Sequence, residues 1–325
     1  METSSRTLGL IALQSTEPLL RLGTRGSPLA MAQAEETRDR LAQAHGIDPE
    51  QIAIVPFLST ADRLVDRPLS EVGGKGLFTK EIDQALFDNR IDIGVHSAKD
   101  MATKLPDEMK IAAFLEREDV RDAFISLVAR GIDYLPEGGK FGTSSIRRAA
   151  QVKRMRPDLR IVPFRGNVQT RLQKLADGVA DATLLAMAGL NRLGQGHRIT
   201  LPLEPESFLP APAQGAIALA VRSNDEKSLE LASAINHAPT SHAVMSERAL
   251  LDVLDGSCRT PVAALAQLDD GHLTIKAEIL SLDGSEHFAE SGEGTSDEAE
   301  AIGADVAHRL LAAAGPEFIA RWSDQ

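Results

Sequence analysis

An α/β chain with mostly parallel sheets, followed by a smaller C-terminal α+β domain, is what three features of this 325-residue sequence predict. Strand-like apolar runs and helical stripes alternate up to about residue 223. Three of the strand ends pass through a glycine turn into a capped helix. After about residue 238 the alternation stops, leaving one helix, one alternating strand and a last helix.

Taken in order, Leu19 to Leu22 reads as a strand, Gly23-Thr24-Arg25-Gly26 as a turn, Ser27 as an N-cap and Pro28 as a first helical residue. Ala30, Ala34, Thr37 and Leu41 then form one helical stripe. Gln51 to Leu58 is the next strand. A glycine-rich loop, Gly73-Gly74-Lys75-Gly76-Leu77-Phe78, leads to Thr79 as N-cap and to a helix marked by Ile82, Ala85 and Leu86. The loop has neither the Walker spacing nor the Rossmann fingerprint, so nucleotide binding is weakly supported. The strand Ile91 to Val95 delivers His96-Ser97-Ala98-Lys99-Asp100 at its carboxyl end, where open α/β sheets bind ligands.

Further strands are expected at Ala123 to Val128, Ala182 to Leu185 and Ala216 to Val221. Between them the junction repeats twice more. Gly142-Thr143-Ser144-Ser145 precedes a helix over Ile146 to Met155, and the strand Arg160 to Phe164 leads through Arg165-Gly166-Asn167 into a helix carrying Val168, Leu172 and Leu175. In the last part, Met245, Ala249, Leu250, Val253 and Leu254 mark a helix before Cys258. Leu273, Ile275, Ala277 and Ile279 alternate as a strand, and Ala299, Ile302, Val306, Leu310 and Ala313 share the stripe of the final helix.

Free N–H groups and the positive end of the helix dipole make each such junction an anion site. Arg147 and Arg148 strengthen the case, because each cation in a first helical turn opposes the dipole by roughly 0.3 to 1 kcal/mol unless an anion compensates. Bound carboxylates or phosphates are therefore expected, and the guanidinium fork suits carboxylates. The net charge of −12 argues against nonspecific nucleic-acid binding, while the concentration of arginines points to a small anionic ligand. No apolar run approaches the roughly 18 residues that span a membrane, and no metal-ligand spacing stands out. Residues 1–17 read as a disordered extension without a signal-peptide pattern. Cys258 is the only cysteine, which fits a cytoplasmic protein; beside Arg259 and near a helix end it is either a buried hydrophobe or a reactive thiol.

Several of these motifs, in one order, resemble the porphobilinogen deaminase family. They are Arg25-Gly26-Ser27-Pro28-Leu29-Ala30, the glycine loop ending in Phe78, Val95-His96-Ser97 with Lys99-Asp100, Gly142 to Arg148, Arg165-Gly166-Asn167, Ala188-Gly189-Leu190 with Arg192-Leu193-Gly194, and Gln214-Gly215. The resemblance runs from about Leu19 to the C-terminus. It implies two lobes like those of periplasmic binding proteins and a third domain that carries a cofactor cysteine. Domain one would comprise residues 18–115 and 216–236, domain two 116–215 and domain three 237–325.

The resemblance further implies that Cys258 holds a dipyrromethane through a thioether and that Asp100 is the catalytic carboxylate. Four porphobilinogens would be joined with loss of ammonia, and water would release hydroxymethylbilane for tetrapyrrole synthesis. Arg25, Ser27, Lys75, Phe78, Lys99 and Thr143 match binding positions for cofactor and substrate, as do Ser144, Ser145, Arg147, Arg148, Arg165 and Gly166. Asn167, Arg171, Ala188, Gly189, Arg192 and Gln214 complete that set. The chain would act as a monomer, with no metal, nucleic-acid or membrane partner, and its lobes would shift as the product chain grows. It departs from the family pattern at Ala98, at Met101-Ala102 and at Ser257, which bears on loop rigidity. A non-catalytic two-lobed anion-binding or ligand-sensing protein is the alternative; it would need neither Asp100 nor Cys258.

Overall fold

The computed structural model describes residues 17–58, 79–254 and 260–323. Its first sheet contains β1 (Leu20–Arg25), β2 (Ile52–Phe57), β3 (Ile93–Ser97) and β4 (Met109–Phe114). Its helices are α1 (Pro28–His45) and α2 (Lys80–Phe87). The second sheet is built from β5 (Asp122–Ser126), β6 (Lys140–Gly142), α3 (Ile146–Met155), β7 (Arg160–Val162) and α4 (Val168–Ala176). It continues with β8 (Ala182–Ala186), the short α5 (Met187–Arg192) and β9 (Leu201–Leu203). The chain then returns as β10 (Ile217–Arg222) and α6 (Glu226–Ser233). It ends in α7 (Ala238–Val253), β11 (Val262–Asp269), β12 (His272–Leu280), β13 (His287–Thr295) and α8 (Ala299–Ser323).

The first sheet has the order β2-β1-β3-β10-β4 and the second β7-β6-β8-β5-β9. Both are mixed: β1 runs parallel to β2 and β3, and β6 parallel to β7 and β8, whereas β10 and β5 are antiparallel to both of their neighbours. The parallel half of each sheet carries the strand-to-helix junctions, so their strand ends share one edge. β10 is apolar on both faces because it lies inside the first sheet. Ile217, Leu219 and Val221 join Leu22, Leu41 and Ile93 on one side, and Ala218 and Ala220 join Ile82, Leu86 and Phe114 on the other. Burial of a side chain such as Leu22 or Ile93, each 0% exposed, contributes about 1.5 to 3 kcal/mol.

The C-terminal part packs α7 and α8 on one face of the antiparallel sheet β11-β12-β13 around Leu250, Ile275, Ile279, Val306 and Leu310. Of its strands the sequence predicts only β12. β13 reads His-Phe-Ala-Glu-Ser-Gly-Glu-Gly-Thr and has no run of large apolar residues. A Cβ on Gly292 would lie 2.7 Å from Val306 Cγ2, and one on Gly294 2.8 Å from Ile302 Cδ1, so α8 lies directly on the strand. The two helices approach equally closely at Gly303, where a Cβ would collide with the Ser246 carbonyl.

A buried ion pair gathers the three parts. Arg117, between β4 and β5, donates from Nη1 and Nη2 to Glu247 of α7 at 2.8 and 3.1 Å, and from Nε to the Gln214 carbonyl. Glu247, whose side chain is 0% exposed, also accepts from the backbone N–H groups of Ala213 and Ala266. One carboxylate thereby holds both chain crossings between the sheets and the edge of the C-terminal sheet.

Candidate functional site

Three predicted helix N-termini form as their sequences specify. The Ser27 hydroxyl accepts from the Ala30 N–H at 3.3 Å, Ser145 from Arg148 at 3.4 Å, and the Asn167 side chain from Thr170 at 2.8 Å. Thr143 and Ser144 brace the middle junction: the Thr143 hydroxyl accepts from the Ser145 N–H, and that of Ser144 from Phe164, which ties it to the strand-end loop of Arg165. Gly166 has φ 123°, a conformation open to glycine, and places Asn167 at the cap. Thr79 departs from expectation. Its hydroxyl donates to the Asp83 carboxylate at 2.7 Å in place of capping α2.

Arg147 and Arg148 have their compensating anion inside the protein. Asp122, the first residue of β5 and 0% exposed, accepts from Arg147 Nη2 at 2.8 Å and from Arg148 Nη2 at 2.6 Å. Burial alone would raise the Asp122 pKa, but the two guanidinium fields and their hydrogen bonds hold it far below the usual carboxylate range. Gln214 donates from Nε2 to the same carboxylate at 3.0 Å and accepts at Oε1 from Lys99 Nζ at 3.0 Å. A continuous line of contacts therefore joins Lys99, Gln214, Asp122 and the arginine pair.

Lys99 and Asp100 form a short 3-10 turn at the end of β3. Lys99 keeps solvent access yet stands in crowded surroundings. Desolvation, and then the Arg148 charge, push its ammonium down to about 8 against the pull of Asp100 and Asp122. Arg171 of α4 reaches back to the Gly166 carbonyl at 2.8 Å, and desolvation together with Arg148 lowers it to about 10 while Asp100 opposes the shift. Arg165 also acts on Arg171, and its own Nη1 is buried without a hydrogen-bond partner. Asp100 thus stands in the field of Lys99 and Arg171.

On its other side, Asp100 lines a cavity of about 60 Å³ with Arg25, Ser27, Gln33, Thr79, His96 and Ser97. The Ser97 hydroxyl donates to Gln33 at 3.0 Å across this wall. His96 is buried and desolvation lowers it to about 4, so it is neutral at pH 7. Ala188 and Gly189 are buried in α5; a Cβ on Gly189 would lie 3.3 Å from Leu29 of α1. Arg192, at the end of α5, bonds to Glu36 of α1 across the lobes. Lys75, Phe78 and Cys258 lie outside the described residues.

Three members of this arrangement escape sequence reasoning. Gln33 lies beside the stripe of Ala30, Ala34 and Thr37, and Asp83 shares a helix with Ile82 and Ala85; neither carries a motif. Asp122 has one readable signal, an acid opening the otherwise apolar strand Ala123-Phe124-Ile125. Among the described residues no group of His, Cys, Asp and Glu is arranged to hold a metal, and no helix is long and apolar enough to cross a membrane.

The sequence profile described as "Porphobilinogen deaminase, dipyromethane cofactor binding domain" matches residues 20–230, and that of "Porphobilinogen deaminase, C-terminal domain" matches residues 241–312. A protein of Nitrobacter winogradskyi named porphobilinogen deaminase is 50% identical, covering 93% of this chain and 96% of its own. The Paracoccus denitrificans protein of the same name is 51% identical, covering 94% and 97% respectively. Among solved structures, a periplasmic substrate-binding protein from Coxiella burnetii matches with a TM-score of 0.42 and 15% identity over 70% of this chain and 95% of its own.

Proposed function

Because the chain belongs to the porphobilinogen deaminase family, we propose that it joins four porphobilinogens head to tail with loss of ammonia and releases hydroxymethylbilane by hydrolysis. The observation that carries this reading is the setting of Asp100: one carboxylate between the Arg25 and Ser27 cavity and the cations Lys99 and Arg171. Loss of ammonia leaves a delocalised positive charge on the incoming pyrrole, which a fixed carboxylate stabilises while accepting from pyrrole N–H. The same carboxylate is placed to take up the proton that the acceptor carbon loses when the new bond has formed.

Cys258 would hold a dipyrromethane through a thioether, and that group, when bound, would supply the pyrrole carbon to which the first substrate is joined. The described residues fit such a polycarboxylated group: the buried Arg165 Nη1 lacks a partner, and desolvation, with the Arg148 charge second, pushes Lys99 and Arg171 towards losing their protons, which a bound anion would oppose. Every pyrrole carries two carboxylates, and the cleft supplies guanidinium and ammonium donors to match them. Arg147 and Arg148 act partly through Asp122, which fixes them and aims the remaining charge. On this reading residues 18–115 with 216–236, 116–215 and 237–325 work as three domains, and the protein is a cytoplasmic monomer without a nucleic-acid or membrane partner. The non-catalytic alternative is not favoured, because both named relatives cover nearly the whole chain at about half identity.

Intact mass spectrometry and turnover test the reading together. The isolated protein should carry a two-pyrrole adduct that Cys258→Ser abolishes, and Asp100→Ala should keep its fold and lose nearly all product formation. Absence of the adduct, or near-normal turnover in Asp100→Ala, overturns it.

A further inference from the structure

Helix α1 presents a row of side chains at helical spacing, Leu29, Gln33, Glu36 and Arg40, of which Leu29 and Gln33 line the Asp100 cavity. Glu36 is the next member of that row. Its Oε2 accepts from Arg192 Nε at 3.0 Å and its Oε1 from Arg40 at 3.1 Å. The Arg192 side chain is 8% exposed, and its Nη1 donates to the Gly215 carbonyl at 3.2 Å. α1 belongs to the first sheet, α5 to the second, and Gly215 to the chain crossing between them. Arg192 is thus clamped between the lobes by a carboxylate of the protein, one helical turn beyond the cavity wall.

We propose that Glu36 is a positioning residue that occupies Arg192 in place of a substrate carboxylate and yields it as the pyrrole chain lengthens. The proposal rests on the reading of Arg192 as a carboxylate receptor for that chain. Of the guanidinium's donors, Nε is bonded to Glu36 and Nη1 to the Gly215 carbonyl, so a carboxylate arriving at the Nε edge meets one that is already taken. Paired binding at that edge therefore includes an exchange: the Arg192 to Glu36 bond breaks, the Arg192 to substrate bond forms, and Glu36 keeps Arg40 as its partner on α1. The exchange also removes a bond between the lobes, so elongation loosens them at this point. Glu36, 27% exposed on its side chain, is reached by water, which keeps the exchange within reach of ordinary binding energies.

Steady-state kinetics on the cofactor-loaded enzyme decide the matter. Glu36→Gln keeps the side-chain shape and removes the competing charge, so the porphobilinogen KM should fall about two- to fivefold while kcat stays within a factor of two. Glu35→Gln makes the same charge change on the exposed neighbour and should leave KM unchanged. An unchanged or raised KM in Glu36→Gln, or an equal fall in Glu35→Gln, overturns the proposal. Mass spectrometry of Arg192→Gln with added porphobilinogen separates the two layers. Adducts that lengthen as in the parent refute the role of Arg192 itself, whereas arrested lengthening with a Glu36→Gln KM equal to the parent's refutes the exchange alone.

Discussion

Replacing Asp122 by asparagine keeps the shape of the side chain and removes the charge on which two buried arginines depend. The carboxylate is 0% exposed and takes hydrogen bonds of 2.8, 2.6 and 3.0 Å from Arg147, Arg148 and Gln214. Arg147 and Arg148 are 5% and 6% exposed, so water cannot replace the lost partner. Breaking a buried pair by removing one charge costs about 3 to 5 kcal/mol, and here two cations share the loss. At about 2 to 4 °C per kcal/mol for a chain of this class, melting should fall by about 6 to 20 °C in differential scanning calorimetry. The pH dependence adds a second reading. The folded pKa of Asp122 lies below that of the unfolded chain, so its stabilisation is complete above the unfolded value of about 3.9 and fades as pH falls towards the folded one. The gap between parent and Asp122→Asn should therefore stay constant from pH 5 to 8 and close in acid. A melting change under about 2 °C at pH 7 refutes the assignment of Asp122 as the counter-charge.

Lys99, lowered to about 8, loses its proton as pH rises through that value, so the porphobilinogen KM should climb between pH 7 and 9 and do so less in Lys99→Met; parallel profiles would contradict this. Gly303→Ala forces α8 away from the Ser246 carbonyl, an overpacking cost of about 1 to 3 kcal/mol that thermal denaturation should register. Glu247→Gln weakens the hold on Arg117 and on two backbone N–H groups; proteolytic cleavage near residues 116–121 should accelerate several-fold while the core sheets stay resistant.

What could be read in advance was local. Ser27, Ser145 and Asn167 sit beside the backbone groups they cap, and the helix over Ile146 to Met155 begins and ends where the sequence places it. The resemblance added an expectation that locality cannot supply, that the arginines and Asp100 share one site; in the fold Asp100 and Arg148 each act electrostatically on both Lys99 and Arg171. Asp122 stayed hidden because its meaning lies in partners 25 and 26 residues away. β13 stayed hidden because Gly292 and Gly294 hold the places where strand residues with large side chains would signal burial. Thr79 carried a capping signature, but a carboxylate one turn away made the stronger acceptor.

Glu247 has a mechanical consequence. Its carboxylate meets the outgoing chain at Arg117, the returning chain at Ala213 and the third body at Ala266. A rotation of one sheet against the other that kept these hydrogen bonds would have to turn about this point, with displacement growing with distance from it. The C-terminal body also grips the second lobe, where Gln151 donates to Glu278 at 2.7 Å, and the first, where Arg248 donates to the Ala102 and Thr103 carbonyls, so such a turn would have to yield at one of those grips.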